Sequence, residues 1–322
     1  MKAAVTIKQG SPSNIVVKEV PKPEIKTGWV LIRVHAFGLN RSEMFTRQGH
    51  SPDVQFPRIQ GIECVGEVEE DPTGQLTKGQ KVAAIMGGMG RTFDGGYAEY
   101  TLVPESIVFP FESDLPWSIL GAIPEMFQTV NGSLEQALEI KQGEKLLIRG
   151  GTSSIGILSC QLAKEKGLTI LSTTRNSSKI EFLERTGADH VVIDDGNISE
   201  NVRNIYPEGV DKVLELIGTR TLKDSLKCIK PYGVVCMTGI LGNEWTMKEF
   251  TPMGDIPSLG RLTVYGGDAE NLTKESLQEF IDLLGSGKIE IRIDKVFNLD
   301  EVPEAHEYME SNQAKGKLVV IL

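Results

Sequence analysis

Residues 146–156, LLIRGGTSSIG, run from a short aliphatic stretch through paired glycines into a helical pattern. That order predicts a strand, a tight turn and a helix start, because Ile155, Leu158 and Leu162 recur at helical spacing and Gly167 supplies a stop. Unpaired backbone N–H groups and the positive end of the helix dipole converge at such a turn, which suits a pyrophosphate. Gly150 and Gly151 allow the tight turn, Gly156 allows close packing of helix on strand, and Thr152, Ser153, Ser154 and Ile155 complete the candidate cradle. The motif departs from G-x-G-x-x-G by placing Ser153 at the middle glycine. Taken alone, it also reads as an ordinary βα turn with no ligand.

The next strand, 168–173, ends about 20 residues beyond the turn, where a dinucleotide-binding unit places its ribose-reading residue. An NAD-selective site wants Asp or Glu there. Here Thr173 and Thr174 lead instead to Arg175 and Lys179, with hydroxyls between and no acid. A 2′-phosphate is met by an Arg fork of donors, whereas a carboxylate would repel it. The pattern predicts NADPH, with solvated charges at a helix start as the alternative reading of the two cations.

The 322 residues predict about two domains. Net charge is −10 with dispersed basic residues, which argues against nucleic acid as a partner. A strand pattern at the first residues, with no long apolar stretch there or later, predicts a soluble, cytoplasmic protein without membrane association. Cys64, Cys160, Cys228 and Cys236 lie far apart among aliphatic neighbours and read as reduced core thiols. The four histidines are equally scattered, so metal-ligand spacing is absent.

Short strand patterns at 16–20, 30–36, 66–69 and 81–85, with a further strand over 94–100, predict a barrel-like first domain. Helical spacing follows from 115, with Pro124 starting a helix that runs to Leu138. Beyond it, strands at 146–148, 169–172, 190–193, 212–216, 233–237 and 263–265 alternate with helices. This alternation predicts an α/β fold with a doubly wound parallel sheet. A helix over 277–284 and a strand over 317–322 are expected to return to the first domain.

The chain resembles the quinone oxidoreductase-like branch of the medium-chain dehydrogenase/reductases. The resemblance spans essentially the whole sequence and rests on GLNRSE at 38–43, GIECVG at 61–66, GGYAEY at 95–100, Pro124 and Glu125 before Thr129, the 150–156 turn, GAD at 187–189 and GKLV at 316–319. It implies a GroES-like domain over 1–122 completed by 268–322, and a Rossmann domain over 123–267. It also implies catalysis in a cleft between them and a homodimer. Zinc-dependent members of the wider family carry Cys where Asn40 stands and His where Ile62 stands, so the resemblance implies a zinc-free site.

Without a Lewis acid, a simple ketone lacks stabilisation for its developing alkoxide, whereas a quinone or enone spreads that charge by conjugation. The expected activity is therefore NADPH-dependent reduction of a quinone or α,β-unsaturated carbonyl. Asn40 is the candidate for orienting the carbonyl or the nicotinamide ribose, or else merely ties its loop; Ser42 and Glu43 support it. The resemblance also assigns Thr129, Gly239, Ile240 and Tyr265 to the nicotinamide side and Lys317 to the cofactor phosphates, unless Lys317 is a solvated charge. A non-catalytic NADPH-binding sensor or structural protein, and an alcohol dehydrogenase-like activity on aldehydes, are the alternative functions.

Overall fold

In the computed structural model, which describes residues 1–322, the strand Trp29–Gly38 forms the middle of a seven-stranded sheet. Its sequence, WVLIRVHAFG, is rich in the β-branched and aromatic types that suit a pleated, buried surface, and Val30, Ile32, Val34 and Phe37 are all within the core. Glu63–Glu70 pairs antiparallel on one side with Ala36 opposite Val65, and the C-terminal strand Lys317–Ile321 pairs antiparallel on the other with Val319 opposite Gly38. Three strands distant in sequence thus bring Asn40, Glu63 and Lys317 to one end of one sheet. This unit comprises Met1–Gln128 with Asp268–Leu322.

Asn40 is extended, at φ −127° and ψ 146°, and opens the helix Arg41–Gln48. Three residues on, the Glu43 carboxylate reaches back to the Asn40 backbone N–H at 2.7 Å, one arm of a capping box. Gly49 ends the helix in the left-handed region, at φ 98°.

The second unit, Thr129–Gly267, holds a six-stranded parallel sheet. Its strand order is His190–Ile193, Thr169–Thr174, Lys145–Arg149, Val210–Glu215, Ile229–Met237 and Arg261–Val264. The first strand in sequence lies inside and the chain winds outward in both directions, the doubly wound order whose reversal point opens a ligand crevice at the carboxyl ends of the strands. Leu147, Leu171, Val213 and Val235 bury one face of this sheet against Leu222 and Leu226 of the helix Thr219–Leu226.

Two local expectations are corrected. Residues 94–99 are bends and a single bridge, Ala3 to Ala98, and the strand begins only at Tyr100. The reason is close backbone packing: a Cβ on Gly95 would lie 2.2 Å from the Gly61 carbonyl, and the backbone bonds of the segment are divided among several neighbours, Gly95 N–H to Ile59, Tyr97 N–H to Gln60 and Glu99 N–H to Lys2, so no continuous ladder to one strand forms. The helix from Pro124 is α-helical only to Asn131 and continues as a π-helix over Gly132–Ala137. Gly132 makes room there for Tyr265, whose hydroxyl would be 1.8 Å from any Cβ at that position. No helix is long and apolar enough to cross a membrane.

Candidate active site

Asn40 is 6% exposed, and both ends of its amide are engaged. Its Nδ2 donates to Glu63 Oε1 at 2.8 Å, and its Oδ1 accepts from the Lys317 ammonium at 2.6 Å. Lys317 also lies 3.0 Å from Glu63 Oε1 and 3.5 Å from Glu125 Oε2. Burial works to strip the Lys317 proton, but Glu63 and Glu125 outweigh it and hold the pKa above the ordinary lysine value. The second Glu63 oxygen accepts the Glu125 backbone N–H at 2.8 Å. Lys317 is therefore no solvated charge; within its unit it is a buried cation shared among two carboxylates and an amide.

Glu43 sits behind this cluster, 1% exposed. One oxygen accepts from the Ile62 backbone N–H at 2.8 Å, the other from Tyr97 Oη at 2.6 Å and from the Asn40 backbone. It thus clamps residues 40 and 62 to each other. Burial pushes its carboxyl up to about 7, against the hydrogen bonds from Tyr97, Ile62 and Asn40. Tyr97 Oη also meets His306 Nε2 at 3.2 Å, and burial followed by the Arg47 charge brings His306 down to about 3, so it is neutral there. Ser42 adds no contact to Asn40: its hydroxyl oxygen is enclosed and has no partner.

In the other unit, the strand Lys145–Arg149 enters the turn at Gly150, whose φ of 96° favours glycine. A Cβ on Gly151 would lie 1.8 Å from Ser172 Oγ, and one on Gly156 2.6 Å from the Gly150 carbonyl, so both positions exclude a side chain. Ser153 caps the helix Ser154–Glu165 by accepting the Gly156 N–H at 3.0 Å, which explains a serine at the middle position of the motif. Thr152 is exposed, while Ser154 and Ile155 are half-buried in the first helical turn. The residues fit a dinucleotide pyrophosphate: a glycine pair that allows close approach of the backbone, a helix N-terminus and hydroxyls beside it.

Arg175 is exposed just beyond the strand Thr169–Thr174, and Lys179 is half-buried with its ammonium 6.0 Å from the Phe182 ring. Gly239 and Ile240 follow the strand Ile229–Met237, and Tyr265 follows Arg261–Val264. The Thr129 carbonyl accepts from Ser133 Oγ at 2.6 Å, and that hydroxyl meets Thr238 Oγ1 at 2.9 Å. Thr129, Gly239 and Tyr265 are thereby drawn together around Gly132 and Ser133.

Residues 26–113 match the alcohol dehydrogenase GroES-like domain, and residues 186–320 match the zinc-binding dehydrogenase family. The quinone oxidoreductase of Rattus norvegicus is 25% identical over 333 residues, covering 100% of this chain and 98% of the relative. The chain belongs to the quinone oxidoreductase-like branch of the medium-chain dehydrogenase/reductases. It is similar over 336 residues to the 2-haloacrylate reductase of a Burkholderia species, at 28% identity with 99% and 98% covered. A mycobacterial protein solved in complex with NADPH shares the fold at a TM-score of 0.87 and 22% identity, covering 100% of each chain. As a member of this branch, the protein is an oxidoreductase.

The zinc in one of these family descriptions does not fit the residues present. Ile62 is a buried aliphatic with no donor atom, Asn40 already has partners for both ends of its amide, and Glu63 is bonded to Lys317. Nowhere do three or more His, Cys, Asp or Glu residues gather as metal ligands. Composition and spacing overlooked Glu125, Tyr97 and His306 as parts of this site. The detectable signal was Glu63 itself, a carboxylate inside the apolar run GIECVG, since such a position demands a buried partner.

Proposed function

We propose that this protein is a zinc-free, NADPH-dependent reductase that passes a hydride to a quinone or an α,β-unsaturated carbonyl. The observation that carries the cofactor choice is the pair Arg175 and Lys179 at the end of the second strand, where an acid would select NADH. The relatives' chemistry supports the acceptor class: a quinone and a 2-haloacrylate both hold the accepting carbon in conjugation with a carbonyl or carboxylate.

When bound, the dinucleotide supplies a hydride from C4 of its nicotinamide. The turn at 150–156 receives the pyrophosphate through backbone N–H groups, and the Arg175 guanidinium meets the 2′-phosphate as a fork of donors. Asn40 Nδ2 has one N–H committed to Glu63 and one left to donate to the acceptor oxygen as negative charge develops on it. A proton from water completes the reduction, giving a hydroquinone or a saturated carbonyl. Lys317 and Glu63 hold the amide, while Glu43 holds the backbone beneath it.

Asn40→Ala tests this assignment. A hydrogen bond formed chiefly in the transition state affects kcat, so turnover should fall by roughly tenfold to a hundredfold while the Kd for NADPH stays within about twofold. Steady-state kinetics beside a fluorescence titration of NADPH measures both. Equal turnover in the variant and the parent would remove Asn40 from the reaction.

A further inference from the structure

We propose that the Lys317 ammonium is a built-in cation that takes the place of a metal ion in an oxygen-lined site and fixes the orientation of the Asn40 amide. The inference deepens the zinc-free reading above. An ammonium has three N–H donors, and three acceptors surround this one: Asn40 Oδ1 at 2.6 Å, Glu63 Oε1 at 3.0 Å and Glu125 Oε2 at 3.5 Å. The side chains of Lys317 and Glu63 are 5% and 0% exposed, so water screens this pair little.

The backbone is shaped around the pair. A Cβ on Gly38 would come within 2.5 Å of both Glu63 Oε1 and Lys317 Cε, so any residue with a side chain there would displace one of the two. Lys317 begins the strand that is paired to Trp29–Gly38, and the Leu39 N–H donates to the Leu318 carbonyl at 3.0 Å. The last strand of the chain therefore delivers the cation to a loop 277 residues away in sequence.

The cation has two consequences. Rotating the Asn40 amide by half a turn would set its NH₂ against the Lys317 ammonium and its carbonyl against the Glu63 carboxylate, both repulsive, so the amide keeps one orientation and offers its spare N–H in one direction. The ammonium also neutralises part of the charge of Glu63 and Glu125. Without it, two carboxylates and an amide oxygen would face one another in a buried space. Such hard oxygen donors suit Mn²⁺ or Ca²⁺ better than zinc.

The test is to replace Lys317 and supply cations from solution. Lys317→Ala, in the full chain without cofactor, should bind one equivalent of Mn²⁺ by electron paramagnetic resonance titration, at least about tenfold tighter than the parent protein. The site should be lost again in Lys317→Ala combined with Glu63→Gln. Propylammonium chloride should raise the thermal midpoint of Lys317→Ala more than tetramethylammonium chloride does at equal ionic strength, because only the primary ammonium offers three donors. It should also restore part of the lost turnover. Should the alanine variant fail to fold, Lys317→Gln, which keeps most of the volume, enters the same titrations. If neither variant binds Mn²⁺ better than the parent and neither responds to the primary amine, the built-in cation is refuted. Binding and thermal shift need no substrate, so the inference stands on those readouts even if no acceptor ever consumes NADPH, an outcome that would overturn only the proposed reaction.

Discussion

Arg149→Ala should destabilise the Thr129–Gly267 unit by about 3 to 5 kcal/mol, the range for breaking a buried charge cluster from one side. Arg149 ends the strand that leads into the glycine turn, and its side chain is fully buried. Its Nε and Nη2 each donate to one oxygen of Asp194 at 2.9 Å, and its Nη1 donates to Asp224 Oδ2 at 2.9 Å and Ser225 Oγ at 3.0 Å. Ser225 in turn donates to Glu215 Oε2 at 2.5 Å, and Glu215 receives the Ile217 and Gly218 backbone N–H groups at 2.7 and 3.0 Å. Burial alone would raise Asp194, yet the Arg149 hydrogen bonds and charge hold it below the ordinary carboxylate value. Removing the guanidinium leaves Asp194 and Asp224 with no cation at the carboxyl ends of the strands. Urea unfolding of the variant measures the loss, and Arg149→Met with Asp194→Asn, Asp224→Asn and Glu215→Gln should recover much of it, because replacing all three acidic neighbours together with the arginine leaves no uncompensated charge. A loss below about 1 kcal/mol would mean that the carboxylates find other partners.

Arg175→Ala should weaken NADPH binding by roughly tenfold to a hundredfold, the equivalent of about 1.5 to 3 kcal/mol for one charge-assisted contact, while NADH binding barely changes. Arg175 is exposed and follows a strand that ends in hydroxyls, so its guanidinium is available to a phosphate without breaking a structural pair. Raising salt should narrow the gap between the two cofactors, since an exposed charge contact is screened. Fluorescence titration of both cofactors against both proteins measures this, and a parent protein with equal affinity for NADPH and NADH would contradict it.

Much of the second unit was legible because its signals are local. A strand, a glycine turn and a helix lie within a dozen residues, and the aliphatic runs from 146 onward announce buried parallel strands one at a time. Asn40 and Glu43 were legible for the same reason, as neighbours at a strand-to-helix junction. The rest of that site is non-local. Tyr97 reaches Glu43 across 54 residues, His306 reaches Tyr97 across 209 and Lys317 reaches Asn40 across 277, and no periodicity relates such positions. For Lys317 the resemblance implies a contact with the cofactor phosphates and the sequence alone allows a solvated charge, whereas its place beside Asn40 and Glu63 follows only from the pairing of its strand with Trp29–Gly38. Arg149 was equally silent, since an arginine at the end of an aliphatic run looks like the edge of a strand and its three acidic neighbours come from three other segments. The bends at 94–99 escaped for a different reason: close approach of two glycine-bearing loops overrides the strand pattern, and what a glycine touches is set by the tertiary fold, not by its sequence neighbours.

The most direct test of the proposed reaction is anaerobic incubation of the purified protein with NADPH deuterated at C4 and a panel of quinones, enones and aldehydes, following both NADPH oxidation and the position of the label. The expected result is NADPH consumption with at least one conjugated acceptor, deuterium on the β-carbon of a reduced enone, and no turnover of simple aldehydes. Tight NADPH binding with no acceptor consuming it would contradict the reductase assignment and leave a non-catalytic dinucleotide-binding protein in its place.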